Sequence, residues 1–248
     1  MPRFSVVVPA HNEEAYLPRL LDSLDRARHA YTGGAGAIEV VVVDDGSTDR
    51  TGEIARSRGC RAIRIDARCI AAARNAGARV AAGEILAFVD ADSRVHPDTF
   101  NEIRRVLSGG RVVGGTTGAV FERRSAGLWC TTAALALLGI ALRGWRAVRH
   151  PAMDTGMVFC SRTDFGSIGG YREKYRWGED VWLLVDLKRL GWRSGRRLAG
   201  STASPATFST RKFDRYGDWH YFTMPFRIGW DAIRGRDATA RRYWYERS

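Results

Sequence analysis

Short apolar segments alternate with helical segments along the first half of the chain. These segments span residues 4–8, 38–43, 61–65 and 85–89; the first is a β-branched run typical of a buried strand, and the third is a weaker strand pattern. Helical patterns lie between them, the first opened by Asn12 as its N-cap and the third running over residues 70–82. This alternation predicts an α/β fold in which helices cover both faces of a parallel sheet.

Polar clusters follow three of the predicted strands. They occupy residues 9–13, 44–49 and 90–92. In open sheets of this kind, ligands bind beyond the carboxyl ends of the strands. Packing alone gives no reason for three polar strand ends, so we expect a ligand site at this edge of the sheet.

The segment Asp90-Ala91-Asp92 places two carboxylates directly after a buried strand. Two neighbouring carboxylates repel each other unless a cation or a basic group compensates them. Mg²⁺ or Mn²⁺ suits this arrangement, because such ions bind carboxylates and share substrate phosphates. The alternative is a pair of solvated turn residues, with Asp92 capping the next helix.

Residues 44–49 form a second acidic turn. Asp is disfavoured in strands, so its presence at a strand end needs a reason. A carboxylate at this position can accept a hydrogen bond from a base N–H or a ribose hydroxyl. Ser47 or Thr48 is expected to cap the following helix. The alternative is that the segment serves turn chemistry only.

The basic composition bears on the partners of the chain. Its 248 residues include 39 Lys and Arg against 27 Asp and Glu, a net charge of +12. Such a charge suits phosphates or anionic lipids, although codon bias in a GC-rich genome explains it equally well. No nucleic-acid partner is expected, because the Arg residues are spread along the chain without an aromatic-interleaved RNA motif. The four Cys residues lack C-x-x-C spacing, which indicates free thiols in a reducing cytosol.

The second half is less regular in its pattern. A helix is predicted over residues 97–107 and a strand over 111–120. A further strand is predicted over 154–160, followed by a helix over 179–190 with Gly191 at its C-terminal cap. These elements extend the same α/β arrangement.

An uncharged stretch covers residues 127–142, followed by a basic and aromatic flank over 143–146. The stretch is shorter than the ~20 residues that span a bilayer. It is interpreted either as a core helix or as a membrane contact or lipid-acceptor groove. From residue 213 onward the chain is rich in Arg, Trp and Tyr, which predicts a loose or interfacial extension.

Motifs in a characteristic order resemble those of family 2 glycosyltransferases. They span residues 6–14, 43–49, 73–77, 90–92 and 178–182. The resemblance implies the GT-A fold, a Rossmann-like and mostly parallel sheet flanked by helices, here with a basic aromatic C-terminal extension. It divides the chain into a glycosyltransferase domain over 1–212, with a nucleotide-sugar half over 1–95 and an acceptor half over 96–212, and the extension over 213–248.

The resemblance also implies roles for individual residues. Asp180 is the catalytic base with Glu179 beside it, and Asp92 binds Mg²⁺ or Mn²⁺. The donor-binding residues are Pro9, Ala10, Glu13, Asp45, Arg74, Asp90, Ala91, Arg211 and Lys212. Because a helix N-terminus lowers the pKa of a carboxyl group, we expect burial or Glu179 to restore the basicity of Asp180.

The late part of the chain departs from the family pattern at the expected metal-binding His, and the role of residues 211 and 212 stays open. Many relatives supply a late His as a metal ligand, but His150 and His220 do not lie in such a pattern. Arg211 and Lys212 can clamp a diphosphate, or they can form a solvated basic turn.

The implied function is an inverting, metal-dependent glycosyltransferase with a nucleoside-diphosphate sugar as donor, most commonly a UDP sugar. A lipid-linked acceptor and a small glycoside both fit, in the cytoplasm or at the inner face of the membrane, with peripheral contact through residues 127–146 or the C-terminal tail. The alternatives are a nucleotide-sugar-binding protein and a nucleotidyltransferase on a related fold. Nucleotidyltransferases usually have a Gly-rich basic loop after the first strand. This chain has the sequence Pro-Ala-His-Asn-Glu at residues 9–13 instead, which argues against that alternative.

Overall fold

The computed structural model describes residues 1–123, 156–175, 178–211, 214 and 217. Within these residues, seven strands form one sheet in the order β3-β2-β1-β4-β6-β5-β7. The strands are β1 Phe4–Ala10, β2 Ile38–Asp45, β3 Arg61–Ile65, β4 Ile85–Phe88, β5 Val112–Phe121, β6 Val158–Ser161 and β7 Arg197–Phe208. The helices are α1 Leu17–Ala30, α2 Thr51–Ser57, α3 Ile70–Val80, α4 Thr99–Leu107, α5 Arg162–Ser167 and α6 Glu179–Arg193.

Strand pairing confirms the predicted α/β class with a mostly parallel sheet. β1 pairs in parallel with β2 and β4, and β2 pairs in parallel with β3. β6 is antiparallel to both β4 and β5. The first half therefore has the Rossmann-like arrangement expected from the alternation of strands and helices, and β6 adds the antiparallel component.

Two predicted helix ends are wrong. α1 begins at Leu17 with Tyr16 at its N-cap, because Asn12 has a positive φ of 51° and lies in a turn. α6 continues through Gly191 to Arg193. A side chain at Gly191 would lie 2.7 Å from the Arg196 carbonyl oxygen, so this glycine allows the chain to return closely to the helix.

The helix α3 packs directly on β1 and β2. A Cβ atom at Gly77 would clash with Val7 Cγ1 and lie 2.9 Å from Val43 Cγ2. Only a residue without a side chain allows this close packing of helix on sheet. The packing fixes the position of Arg74, one turn earlier on the same helix, at the carboxyl end of the strands.

The chain divides into two compact units. One comprises Met1–Val120 and Asp154–Phe208, and the other comprises Phe121–Met153 and Ser209–Ser248. Several predictions fall outside the described residues, among them those on 127–142, 143–146, Lys212, most of the extension and both late His residues. In the part of the chain that the structure describes, no helix is long and apolar enough to cross a membrane.

Candidate functional site

Three loops leave the sheet at the carboxyl ends of neighbouring strands. In register, Ala10 of β1 lies beside Asp44 of β2, and Val7 of β1 lies beside Phe88 of β4. The loops that begin at residues 11, 46 and 89 therefore start from one edge of the sheet. This is the edge at which the sequence places its polar clusters.

Hydrogen bonds join the loop after β1 to the loop after β2. The backbone N–H of Asn12 donates to Ser47 Oγ at 3.0 Å, and Asn12 Oδ1 accepts from the N–H of Thr48 at 2.8 Å. The N–H of Glu13 donates to Thr51 Oγ1 at 2.7 Å. The prediction that Ser47 or Thr48 caps α2 is wrong, since that helix begins without a side-chain cap and Asn12 contacts both residues instead.

Asp45 organises the loop that precedes α3. Its Oδ1 accepts from the N–H groups of Ala67 and Arg68 at 2.8 and 2.9 Å. Its Oδ2 accepts from the N–H of Cys69 at 3.0 Å, and the side chain is buried. His11 Nδ1 lies 2.9 Å from the Asp45 carbonyl oxygen. Asp45 therefore holds the backbone of residues 67–69 in place. Its contact with a nucleobase or ribose stays a prediction.

Arg74 joins carboxylates from two separate segments. Its buried side chain projects from α3, and its Nη2 donates to Asp90 Oδ1 at 2.8 Å. Its Nη1 donates to Glu179 Oε1 at 3.0 Å and to Asp180 Oδ1 at 2.8 Å. Asp90, which the resemblance places at the ribose, and Asp180, which it makes the catalytic base, therefore bind to different nitrogens of one guanidinium group. We call these four residues the Arg74 cluster.

The charges in the Arg74 cluster do not balance, because three carboxyl groups surround one guanidinium. Burial raises the pKa of Glu179 from 4.5 to about 7, against the lowering effect of Arg74. Burial also raises the pKa of Asp180, and the charge of Asp90 adds to that rise. From the sequence, burial or Glu179 is expected to raise the pKa of Asp180. Burial does so, and the second contribution that raises it comes from Asp90.

We expect the Glu179→Gln variant to melt several degrees above the unmodified protein at pH 8 and close to it at pH 5. The raised pKa means that the folded protein binds an extra proton between pH 4.5 and about 7. The stability that this group contributes is therefore present at low pH and is lost as the pH rises through that window, by roughly 1–3 kcal/mol. Thermal denaturation of both proteins at the two pH values measures the effect.

The matched control for this prediction is Glu53→Gln, which changes an exposed carboxyl group on α2. Its melting temperature is expected to follow that of the unmodified protein at both pH values. An equal difference between Glu179→Gln and the unmodified protein at pH 5 and pH 8 would contradict the assignment of a raised pKa to Glu179.

Tyr171 is a member of the site that sequence reasoning missed. Its hydroxyl donates to Asp180 Oδ1 at 2.9 Å, and its ring lies 5.1 Å from the Arg74 guanidinium carbon. Asn75, next to Arg74 on α3, hydrogen bonds to the Tyr171 backbone. The position of Asn75 in the 73–77 motif was the one sequence feature that pointed to a role for this part of α3. It could not indicate Tyr171, which lies almost a hundred residues further along the chain.

The turn after β4 carries the candidate metal ligand. The N–H of Ser93 donates to the Asp90 carbonyl oxygen at 3.1 Å, and Asp92 between them is half-buried. Among the described residues, no three His, Cys, Asp or Glu side chains gather to hold a metal ion. One carboxylate from the protein nevertheless fits Mg²⁺ or Mn²⁺ bound to a nucleotide, because substrate phosphates and waters supply the remaining ligands.

The other residues expected at the site fall into three groups. Four are buried at the strand ends or in the loops that follow them, namely Pro9, Ala10, Glu13 and Ala91. Arg211 belongs to the second compact unit, where its N–H donates to Ser209 Oγ at 3.3 Å. Lys212 lies outside the described residues. The donor-binding and catalytic roles of all the residues expected at the site stay predictions.

Together, the order and pairing of the strands are those of the GT-A fold that the solved structures below share. Residues 5–178 match the family described as glycosyl transferase family 2, and the chain belongs to this family. The implied family membership, fold and enzyme class are thereby confirmed.

Curated relatives match over part of their length. Validoxylamine A glucosyltransferase of Streptomyces hygroscopicus subsp. limoneus is 42% identical over 97 residues, which cover 36% of this chain and 20% of the relative. The poly(ribitol-phosphate) beta-N-acetylglucosaminyltransferase TarS of Staphylococcus aureus strain Mu50 is 33% identical over 108 residues, covering 41% of this chain and 18% of the relative. The matches therefore span about a fifth of each of these relatives.

Solved structures share the fold over most of the chain. The S. aureus TarS 1–349 structure aligns with a TM-score of 0.61 and 18% identity, covering 88% of this chain and 63% of that one. Glucosyl-3-phosphoglycerate synthase from Mycobacterium tuberculosis, in complex with Mn²⁺, UDP and glucosyl-3-phosphoglycerate, aligns with a TM-score of 0.60 and 22% identity, covering 87% and 75%.

Proposed function

We propose that this chain is an inverting, divalent-metal-dependent glycosyltransferase that moves a sugar from a nucleoside-diphosphate donor, with UDP as the first candidate, to an acceptor hydroxyl. The observation that carries the proposal is the Arg74 guanidinium, which binds Asp90 and Asp180 at 2.8 Å each. One side of the Arg74 cluster lies at the strand end where a nucleotide would bind. The other side presents a carboxylate at the start of α6.

Asp180 is the proposed general base. It accepts the proton of the acceptor hydroxyl while that oxygen attacks C1 of the sugar. The new O–C1 bond forms on the face opposite the diphosphate, whose bond to C1 breaks, so the anomeric configuration inverts. The Asp180 side chain is 23% exposed, which leaves access for a hydroxyl group. Its raised pKa makes it a stronger proton acceptor than an ordinary aspartate.

The donor side is assigned to the strand ends. Pro9, Ala10, Glu13, Asp45 and Ala91 would line the base and ribose, with Asp90 at the ribose and Asp92 as the ligand of Mg²⁺ or Mn²⁺. Such an ion stabilises the negative charge that develops on the leaving diphosphate. Two structural neighbours support this assignment, since their crystals hold Mn²⁺ together with GDP-mannose or UDP.

The acceptor is proposed by class only. One relative is named for glucosyl transfer to validoxylamine A and another for transfer to poly(ribitol phosphate). A structural neighbour was crystallised with phosphoglyceric acid. These names support a hydroxyl acceptor, either a small glycoside or one linked to a polymer or lipid. Arg211 and Lys212 are proposed as cationic contacts of the diphosphate.

Metal-dependent nucleotide binding tests the proposal. Thermal shift is measured with UDP, GDP, dTDP and CDP, each with Mn²⁺ and with excess chelator. A nucleotide at one hundred times its Kd stabilises by ~2.7 kcal/mol, which at this size raises the melting temperature by about 5–10 °C. We expect this shift for one nucleotide, UDP first, and its loss in chelator or in the Asp92→Asn variant.

The matched control is Asp98→Asn, which removes an exposed carboxylate at the start of α4 and should keep the full shift. The sugar nucleotide of the preferred base is then incubated with an acceptor panel, and the product is examined by NMR for an inverted anomeric centre. A nucleotide shift without any turnover would favour a nucleotide-sugar-binding protein. No shift with any nucleotide would contradict the proposed donor site.

A further inference from the structure

Tyr171 is a buried side chain whose hydroxyl faces the proposed base. It is 2% exposed, and its Oη donates to Asp180 Oδ1 at 2.9 Å. Its ring packs edge-on against Phe88, with centroids 5.0 Å apart, and lies tilted against Phe165 with centroids 5.9 Å apart. Phe88 belongs to β4, so the ring is held against the sheet and the hydroxyl points away from the apolar contacts toward the carboxylate.

The backbone of Tyr171 is fixed as firmly as its ring. The N–H of Tyr171 donates to Asn75 Oδ1 at 2.9 Å, and Asn75 Nδ2 donates to the Tyr171 carbonyl oxygen at 2.9 Å. The preceding Gly170 has a φ of +74°, and a Cβ there would lie 2.7 Å from Asn75 Oδ1. The residue that follows Arg74 on α3 therefore locks the segment that supplies the tyrosine.

The two donors to Asp180 reach the same oxygen. Arg74 Nη1 at 2.8 Å and Tyr171 Oη at 2.9 Å both donate to Oδ1. Within the described part of the chain, no hydrogen bond reaches Oδ2. A carboxylate held by two donors on one oxygen is fixed in rotation and presents the other oxygen to an incoming hydroxyl. The remaining charged groups of the Arg74 cluster around Asp180 are Asp90 and Glu179.

We propose that Tyr171 is a positioning residue for the catalytic base, orienting Asp180 through its hydroxyl so that Oδ2 faces the acceptor. This inference rests on the proposed function, since it presumes that Asp180 takes the acceptor proton. Asn75 acts one step further away, because its two hydrogen bonds hold the Tyr171 backbone. Tyr171 itself touches neither donor nor acceptor in this assignment.

The Tyr171→Phe variant tests the proposal, because it keeps the buried ring and removes only the hydroxyl. We expect kcat to fall by ~10- to 100-fold, the range that follows from losing one hydrogen bond to a charged group. The KM for the donor should stay unchanged. The hydrogen bond favours ionised Asp180, so its loss raises the pKa of that group, and the acid limb of the kcat profile should move to higher pH.

Tyr31→Phe is the matched control, since it removes a hydroxyl from another buried ring that packs on Phe4 and Phe100. It should leave kcat and the acid limb unchanged. An unchanged kcat and acid limb in Tyr171→Phe, with Asp180→Asn inactive, would overturn the positioning role and leave the proposed function intact. A lower melting temperature with an unmoved acid limb would also overturn it. Full activity in Asp180→Asn would instead remove the proposed function.

Discussion

Replacing Asp180 with asparagine is expected to lower kcat by ~10²–10⁴, the usual contribution of a general base. The amide has nearly the same size and still accepts the hydrogen bond from Tyr171, but it cannot take a proton. The acceptor hydroxyl must then attack without assistance. Steady-state rates with saturating donor and acceptor measure the loss.

Donor binding separates this loss from a general disturbance of the site. The thermal shift produced by the preferred nucleotide with Mn²⁺ should stay close to that of the unmodified protein, since we propose Asp180 as a residue of the acceptor side. Asp186→Asn is the control on the same helix, because the Asp186 carboxylate pairs with Arg172 and not with Arg74. It should change kcat only several-fold. Loss of the nucleotide shift in Asp180→Asn would place this residue at the donor.

Replacing Arg74 with methionine is expected to destabilise the protein by ~3–5 kcal/mol and to abolish transfer. The substitution removes the cation that pairs with Asp90, Glu179 and Asp180, of which Glu179 is the most deeply buried. Breaking a buried charge pair on one side leaves the remaining charges unpaired, which is the costly case. Thermal denaturation at pH 8 should show a fall in melting temperature of at least ~6 °C.

The pH dependence gives this prediction its specificity. Without Arg74 the carboxyl groups repel each other, and their protonation relieves the repulsion, so the deficit in stability should shrink between pH 8 and pH 5. Arg3→Met is the control, because Arg3 forms an ion pair with Glu84 in which both side chains are at least half exposed. Such pairs contribute at most ~1 kcal/mol. A deficit of the same size in both variants would mean that Arg74 is not the centre of the cluster.

Periodicity and turn chemistry predict much of this fold. The strands of the first half and the helix α6 depend on local patterns, so each lies within a few residues of its expected place. β7 was not predicted, because Arg197–Phe208 contains Gly, Pro, Ser and Thr where a strand usually has branched apolar residues. Its pairing in the sheet is a tertiary effect that a short sequence window does not contain.

The sequence predicted those residues of the candidate site that belong to a recognisable motif, but not the contacts between them. Asp90, Glu179 and Asp180 stand out as acids at element ends, and the structure brings them together. That Arg74 binds all three could not be read from spacing, because its partners come from distant segments. For the same reason, the sequence assigned Asn12 to a helix cap, whereas its bonding partner Thr48 lies 36 positions along the chain.

The loops after β1 and β2 are joined by hydrogen bonds of Asn12 and Glu13 to residues 47–51. Loops that are ordered before the ligand arrives lose little conformational entropy when it binds, so more of the contact energy is available as affinity. The nucleotide is therefore expected to meet a preorganised half-site, with a binding entropy less unfavourable than that of a protein that must order its loops. Weakening this bracing, for example with Asn12→Ala, should leave the contacts to the nucleotide in place and lower its affinity through the entropy of binding.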